Sequence, residues 1–232
     1  TEEQQCIMPS NPDSILSYLA IGIISGEYLT ALNQSGKPIV SVDIHHYGLP
    51  ISSVGSDNIG GAYTATRYLI QSGHTKIGFI GPVHVAQSVY ERWCGFQQAM
   101  TEARLTEYNP YCILGANDHF ELLDNAQVLS KYLSALPAFP TAWLCSGDLI
   151  AVSLLGLLKE MEINVPDDIS VMGFDNLKVS GMITPALTTI NVDRDLIGRF
   201  AVQLLLDQTK EESLPIYTLS LSCNLIKRDS VS

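Results

Sequence analysis

Short runs of β-branched and aliphatic residues alternate along this chain with stretches of helical periodicity, and that alternation limits the fold more than any other feature. The runs are "AIGIIS" (20–25), "PIVSVD" (38–43), "KIGFIG" (76–81), "YCIL" (111–114), "TAWLCS" (141–146) and "ISVMGF" (169–174). Between them, apolar residues recur at three- and four-residue spacing. Ile59, Ala62, Thr66, Leu69 and Ile70 share one helix face, and Leu154, Leu155, Leu158 and Met161 another. Leu196, Ile197, Phe200, Ala201, Leu204 and Leu205 form a third. Near-continuous apolar strands separated by helices need a parallel sheet covered on both faces. The expected class is therefore doubly wound α/β. Two β-α-β blocks are visible, one to about Gly81 and one from about Val83 to Thr189, and 232 residues suffice for two lobes. The tail "LPIYTLSLSCNLIKRD" reads as a β pair added to one sheet edge.

Composition narrows the function. Hydrophobic residues make up 46% and charged residues 16%, as in a well-packed globule. No apolar run approaches the roughly 18 residues that span a bilayer, and the acidic, polar start "TEEQQCIMPS" is not a signal peptide. The five cysteines are scattered, without C-x-x-C or His/Cys ligand spacing, and are expected to be free and structural. The net charge is −11, and the 13 lysines and arginines are spread thinly, so this chain is not expected to hold DNA by itself.

The motifs of catalysis are missing. There is no G-x-S-x-G, G-x-x-x-x-G-K-[ST] or H-E-x-x-H, no dinucleotide fingerprint, and no nucleophile–base pair, so neither an enzyme nor a cofactor is expected. "IGGAYT" lies within a helical pattern, where its glycines suit close packing. His45 and His46 are adjacent and cannot share a metal from one helix face. Asp57 and Asp148 each precede a helical stretch and fit N-caps. Asp175 differs. It ends the apolar run Ile169–Phe174, beside Asn176, and no helical pattern follows. A carboxylate in that setting must be paired or hydrogen-bonded. At the C-terminal end of a strand in a two-lobed α/β protein it stands where ligands bind. Arg92, near the start of the helix after the strand ending at Gly81, opens towards the same region, with Ser88 one turn earlier on its face. A guanidinium that donates and a carboxylate that accepts suit a hydroxyl-rich ligand. Without ligand, Asp175 is expected to be wet or paired with Arg92, the two lying within water-bridging reach in a closed form.

In these segments the chain closely resembles the effector-binding core of the lactose/galactose-repressor (LacI/GalR) family of bacterial transcription regulators. The matching blocks are "VGSDNIGGAYTATRYLIQSGHTKIGFIGP" (54–82), "ERWCGFQQAM" (91–100), "PTAWLCSGDLIAVSLLGLLKEMEINVPDDISVMGFDN" (140–176) and "TPALTTINVDRDLIGRFAVQLLLD" (184–207). The resemblance implies the fold of periplasmic sugar-binding proteins, two α/β lobes joined by three crossovers near Pro82, Ile190 and Ser213. The lobes would then be 1–82 with 191–213, and 83–190 with 214–232. By resemblance Arg92 matches the arginine that grips effector, Asp175 the aspartate of the "GFDN"-type motif, Ser88 a liganding hydroxyl, and Phe120, beside His119, an aromatic that stacks on effector. Asp148 falls within the family's Asn-Asp pair, which reads Gly147–Asp148 here. The purine-repressor branch carries a further arginine six residues before Arg92, where this chain has Ala86.

The resemblance further implies a cytoplasmic sensor that binds a small polar effector, a sugar foremost, between its lobes. It would be a homodimer acting on operator DNA through a helix-turn-helix headpiece that this chain lacks. The family's first strand and helix have no counterpart ahead of "TEEQQCIMPS", so the first lobe is expected to lack them. The alternative is a periplasmic or surface solute receptor of a sugar transporter, with the same fold.

Overall fold

The computed structural model describes residues 9, 11–115, 126–211 and 215–232. The chain divides into two compact units, Thr1–Asp57 with Asp193–Leu221, and Asn58–Val192 with Ser222–Ser232.

The first unit holds a four-stranded sheet. Its strands are β1 (Tyr18–Ile21), β2 (Ile39–Val42), β3 (Ser52–Ser56) and β8 (Thr218–Leu221), in the order β1-β2-β3-β8 and all parallel. Helix α1 (Gly26–Asn33) follows β1 and begins where Ser25 accepts a hydrogen bond from the Tyr28 amide. Leu29 and Leu32 of that helix bury against Ala20, Ile39 and Ile51. Helix α6 (Arg194–Lys210), capped by Asp193 on the Leu196 amide, packs on β1, β2 and β3 and buries Ile197, Ala201 and Leu204. Strand β1 forms one sheet edge, and its Leu19 and Ile21 are exposed.

The second unit holds β4 (Ile77–Ile80), β5 (Ala142–Cys145), β6 (Ser170–Asp175), β7 (Thr188–Asn191) and β9 (Asn224–Ile226), in that order. All pairings are parallel except β7 with β9. Helices α2 (Asn58–Gln71) and α3 (Gln87–Glu102) pack together. Gly95 permits their approach: a Cβ there would stand 2.2 Å from the Ile59 carbonyl oxygen. Helix α5 (Asp148–Glu160) covers β5 and β6, and α4 (Ala126–Ala135) packs on α5. Trp143, Leu154, Leu158 and Val171 lie at the centre of this core, while Phe79, Trp93, Phe96 and Tyr108 form an aromatic cluster. Both sheets are parallel-dominated with helical cover, so the doubly wound α/β class holds. Among the described residues no helix is long and apolar enough to cross a membrane.

Several expectations need correction. The division after residue 57 differs from the boundary expected near Pro82, because α2 packs on α3 and β4 is hydrogen-bonded to β5. The later divisions fall after Val192 and Leu221 rather than near Ile190 and Ser213. The tail does not add a pair to one edge: β8 joins β3 in one sheet and β9 joins β7 in the other. "YCIL" forms a 3-10 turn over Asn109–Tyr111 and a single bridge from Ile113 to Ile80. Strands β3 and β7 were not expected, since "SSVGS" and "TTIN" lack an apolar pattern. Their hydroxyls are satisfied across the structure instead. Ser52 Oγ accepts from Gln208 Nε2 at 2.7 Å and from the Tyr217 amide at 3.1 Å.

Candidate ligand-binding site

Strand β6 is buried through Phe174, and its last residue, Asp175, takes φ +104, followed by Asn176 at φ +52. Left-handed backbone at a non-glycine residue is strained, and such strain concentrates at functional sites. The turn is held by side chains. Asn176 donates through Nδ2 to Asn191 Oδ1 at 2.8 Å and accepts from Arg228 Nη2 at 2.6 Å.

Arg92 of α3 meets this turn directly. Its Nη2 lies 3.1 Å from Asp175 Oδ1, a direct ion pair within the reach expected for the two. The remaining contacts come from three further residues, Asn58, Ser146 and Phe174. Nε donates to Asn58 Oδ1 at 2.9 Å and Nη1 to the Ser146 carbonyl at 2.5 Å. The guanidinium carbon sits 3.9 Å above the centre of the Phe174 ring, a cation–π contact. Arg92 is 6% exposed, while the Asp175 side chain keeps 25% of its surface. An arginine so enclosed needs this many partners, because a buried unpaired charge is costly. The pair thus combines a fixed donor with a carboxylate that still meets solvent.

The other expected residues fall out differently. Ser88 lies half-buried in α3, one turn before Arg92. Phe120 and His119 lie outside the described residues. Asp148 is neither a cap nor exposed to a ligand. The N-cap of α5 is Gly147, and Asp148, the first helical residue, is 0% exposed. Its Oδ2 accepts from the Leu177 amide at 2.7 Å and from the Ser180 hydroxyl, and its Oδ1 from Thr189 Oγ1 at 2.6 Å. The chain's own donors therefore fill it. Burial raises its pKa above the ordinary carboxylate value, against the lowering effect of those hydrogen bonds. Gly147 adjoins the Arg92–Asp175 pair: a Cβ there would lie 3.4 Å from Asp175 Oδ2. Ala86 is the N-cap residue of α3 and supplies no side-chain bond.

Sequence reasoning missed Asn58, Ser146 and Phe174 around Arg92, and Ser180 and Thr189 around Asp148. Phe174 alone carried a signal, as the residue just before Asp175 on a strand whose side chains alternate. Cys94, Cys112, Cys145 and Cys223 are in no disulfide among the described residues, and burial pushes the Cys112 thiol up to about 12. Among the described residues no group of His, Cys, Asp and Glu is placed to hold a metal ion.

Two parallel α/β units with a buried arginine and a carboxylate at one sheet's C-terminal edge define a class, the periplasmic binding protein-like domain. The family model of that description matches residues 66–231. The repressor PurR of Vibrio vulnificus strain CMCP6, an HTH-type transcriptional repressor, is 33% identical over 171 residues, which are 74% of this chain and 50% of that protein. The chain belongs to the LacI/GalR family of transcription regulators, as an effector-binding core. It spans about half the length of the curated relatives it matches. Among solved structures, the regulator CelR in complex with cellobiose has a TM-score of 0.84 at 26% identity, covering 94% of this chain and 66% of that one. The regulator CcpA of Lactococcus lactis has a TM-score of 0.82 at 25% identity, covering 95% and 79%.

Proposed function

We propose that this chain is the ligand-sensing core of a cytoplasmic transcription repressor, non-enzymatic, and that Arg92 and Asp175 grip a small polar effector, a sugar foremost. The observation that carries this reading is the pair itself, a guanidinium held by four partners beside a carboxylate that retains solvent access. Arg92 donates to ligand oxygens, and Asp175 accepts from hydroxyls. Ser88 contributes a hydroxyl from the same helix as Arg92. Asp148 is left out of the ligand set because its oxygens serve Leu177, Ser180 and Thr189.

Regulation follows from population shift. An effector that binds one conformational state better than another moves the equilibrium by its differential affinity, typically about 1 to 3 kcal/mol in such switches. Operator recognition is assigned to a helix-turn-helix headpiece and a homodimer, since two half-sites call for two-fold symmetry. The net charge of −11 supports giving DNA contacts to a headpiece rather than to this chain. The similarity to a repressor over 171 residues favours the regulator over a transporter's solute receptor. Between effectors, the cellobiose complex of CelR favours a sugar, while the name PurR keeps a purine base in view. Ala86, which offers no charged or hydrogen-bonding side chain, tips the choice to the sugar.

Titration calorimetry tests the assignment. Ribose, cellobiose and a purine base are titrated into the wild-type chain, then the best of them into Asp175→Ala, Arg92→Lys and Arg92→Ala. Loss of a charge-assisted hydrogen bond predicts affinity about thirtyfold weaker in each, or roughly 2 kcal/mol. Unchanged affinity in both the Asp175 and Arg92 variants removes the site.

A further inference from the structure

The Arg92–Asp175 pair is supported from α2. Asn58, the first residue of α2, is 2% exposed and stands between Arg92 and Glu91. Its Oδ1 accepts from Arg92 Nε at 2.9 Å, and its Nδ2 donates to Glu91 Oε2 at 3.0 Å. The other Glu91 oxygen, Oε1, accepts from Gln87 Nε2 at 2.7 Å. An ionised carboxylate can only accept. Glu91 therefore dictates that the Asn58 amide turns its NH2 towards α3 and its oxygen towards Arg92. A flipped amide would set oxygen against carboxylate and NH2 against guanidinium, and both contacts would repel.

We propose that Asn58 is the positioning residue of the ligand-binding arginine, oriented by Glu91 and fixing the plane of the Arg92 guanidinium. This rests on the reading of Arg92 and Asp175 as the ligand pair. A planar guanidinium carries five N–H donors. Nε serves Asn58, one N–H of Nη1 serves Ser146, and one of Nη2 serves Asp175, so one donor remains on each terminal nitrogen. Those two donors point where the plane points. The Ser146 and Asp175 contacts lie on the terminal nitrogens, and the Asn58 contact supplies the third point, next to the flexible stem. With all three in place the plane is determined, and the free donors are pre-aimed before ligand arrives. A ligand that finds them aimed does not have to order the side chain itself. Gln87 extends the same logic one step, by holding Glu91 from the first turn of α3.

The test has two readouts on the full chain. The first is ligand-free: the exchange of the Arg92 Nε–H with water, followed by NMR on arginine-labelled protein. The second is calorimetric affinity for ribose as the probe, with cellobiose in its place if ribose does not bind. In Asn58→Ala the Nε–H loses its acceptor, and its exchange is expected to accelerate about tenfold or more, with probe affinity about tenfold weaker. Asn58→Asp keeps the volume and an acceptor for Arg92 but sets a carboxylate against Glu91, so it is expected to weaken binding on its own. Adding Glu91→Gln to Asn58→Asp restores one amide and one carboxylate with the amide donating, and is expected to return both readouts to within about threefold of wild type. A merely structural Asn58 would not show this rescue. Unchanged Nε–H exchange in Asn58→Ala, or a double variant no better than the single one, overturns the proposal. So does faster exchange with unaltered probe affinity. If no probe binds the wild-type chain, the ligand reading fails, and the exchange measurement still decides whether Asn58 holds Arg92.

Discussion

Two aspartates of the second unit carry the same carboxylate and meet opposite fates. Asp148 is wholly enclosed and surrounded by neutral donors from Leu177, Ser180 and Thr189. Asp175 keeps a quarter of its side-chain surface and faces a cation. The first is a strut. It ties the start of α5 to the turn after β6 and to β7. The second is a handle, because its partner Arg92 has donors left over and its own oxygens reach solvent. Neither the residue type nor its position at a strand end separates the two. What separates them is the kind of donor and the exposure left over: neutral groups around an enclosed Asp148, a guanidinium beside a partly exposed Asp175.

The largest effect that sharpens this contrast is on stability at Asp148. Asp148→Ala strands a buried amide and two hydroxyls and opens a cavity, so folding stability measured by urea denaturation is expected to fall by about 3 kcal/mol. A loss below about 1 kcal/mol would show that the three bonds do not hold the loop, and the strut would be a misreading.

Next in size is Gly173→Ala. A Cβ at Gly173 would stand 2.2 Å from Asp148 Oδ1 and 2.8 Å from Leu187 Cδ2. The glycine of "VMGFDN" is thus explained by the neighbouring carboxylate rather than by a turn. Displacing that carboxylate is expected to lower stability by about 2 kcal/mol. Because the same atom is disturbed, Gly173→Ala combined with Asp148→Ala should cost less than the sum of the two. Strict additivity in the same urea experiment would disconnect Gly173 from Asp148.

These two residues also mark how far the sequence could be read. Strands such as β4, β5 and β6 were visible because their fully buried faces demand unbroken apolar residues. Strand β3 was not, because a serine is acceptable inside only if a distant partner bonds it, and Gln208 lies far along the chain from Ser52. The pairing of Asp175 with Arg92 was legible because a charge at the end of an apolar strand needs a partner, and Arg92 was the available cation. Asp148 was misread as a cap because local spacing sees only the helix that follows. Its donors come from residues 177, 180 and 189, which no local pattern links to it. The division into compact units after Asp57 was not legible for the same reason, since strand–helix alternation looks alike on both sides of it, and only packing groups α2 and β4 with the second unit.

A smaller effect is expected on stability at the handle. Asp175→Asn retains an oxygen that accepts from Arg92, and asparagine tolerates left-handed backbone better than most residues. Stability is expected to fall by no more than about 1 kcal/mol, while ligand affinity falls with the lost charge. Asp175→Asn therefore inverts the pattern of Asp148→Ala, with function hit harder than folding. An equal or greater stability loss than Asp148→Ala would erase the distinction between the two carboxylates.

The smallest effect is one of pH, and it too separates strut from surface. Burial raises the Asp148 pKa above its ordinary value of 3.8. The folded state thus holds this proton more tightly than the unfolded chain does. As pH rises from about 3.8, the unfolded chain releases the proton first, so the contribution of Asp148 to stability declines until pH passes its folded value, and then levels off. The sign is opposite to that of an aspartate stabilised by a cation, whose contribution is lost on acidification. Asp148→Asn removes the titration and keeps the shape, and its amide can donate to the Thr189 hydroxyl. The stability advantage of wild type over Asp148→Asn is expected to be greatest near pH 4 and smaller at neutral pH, read as the shift in urea midpoint between the two proteins. Were the advantage to grow with pH instead, the carboxylate would have to be favoured in its charged form inside the fold. The three neutral donors would then outweigh burial at Asp148.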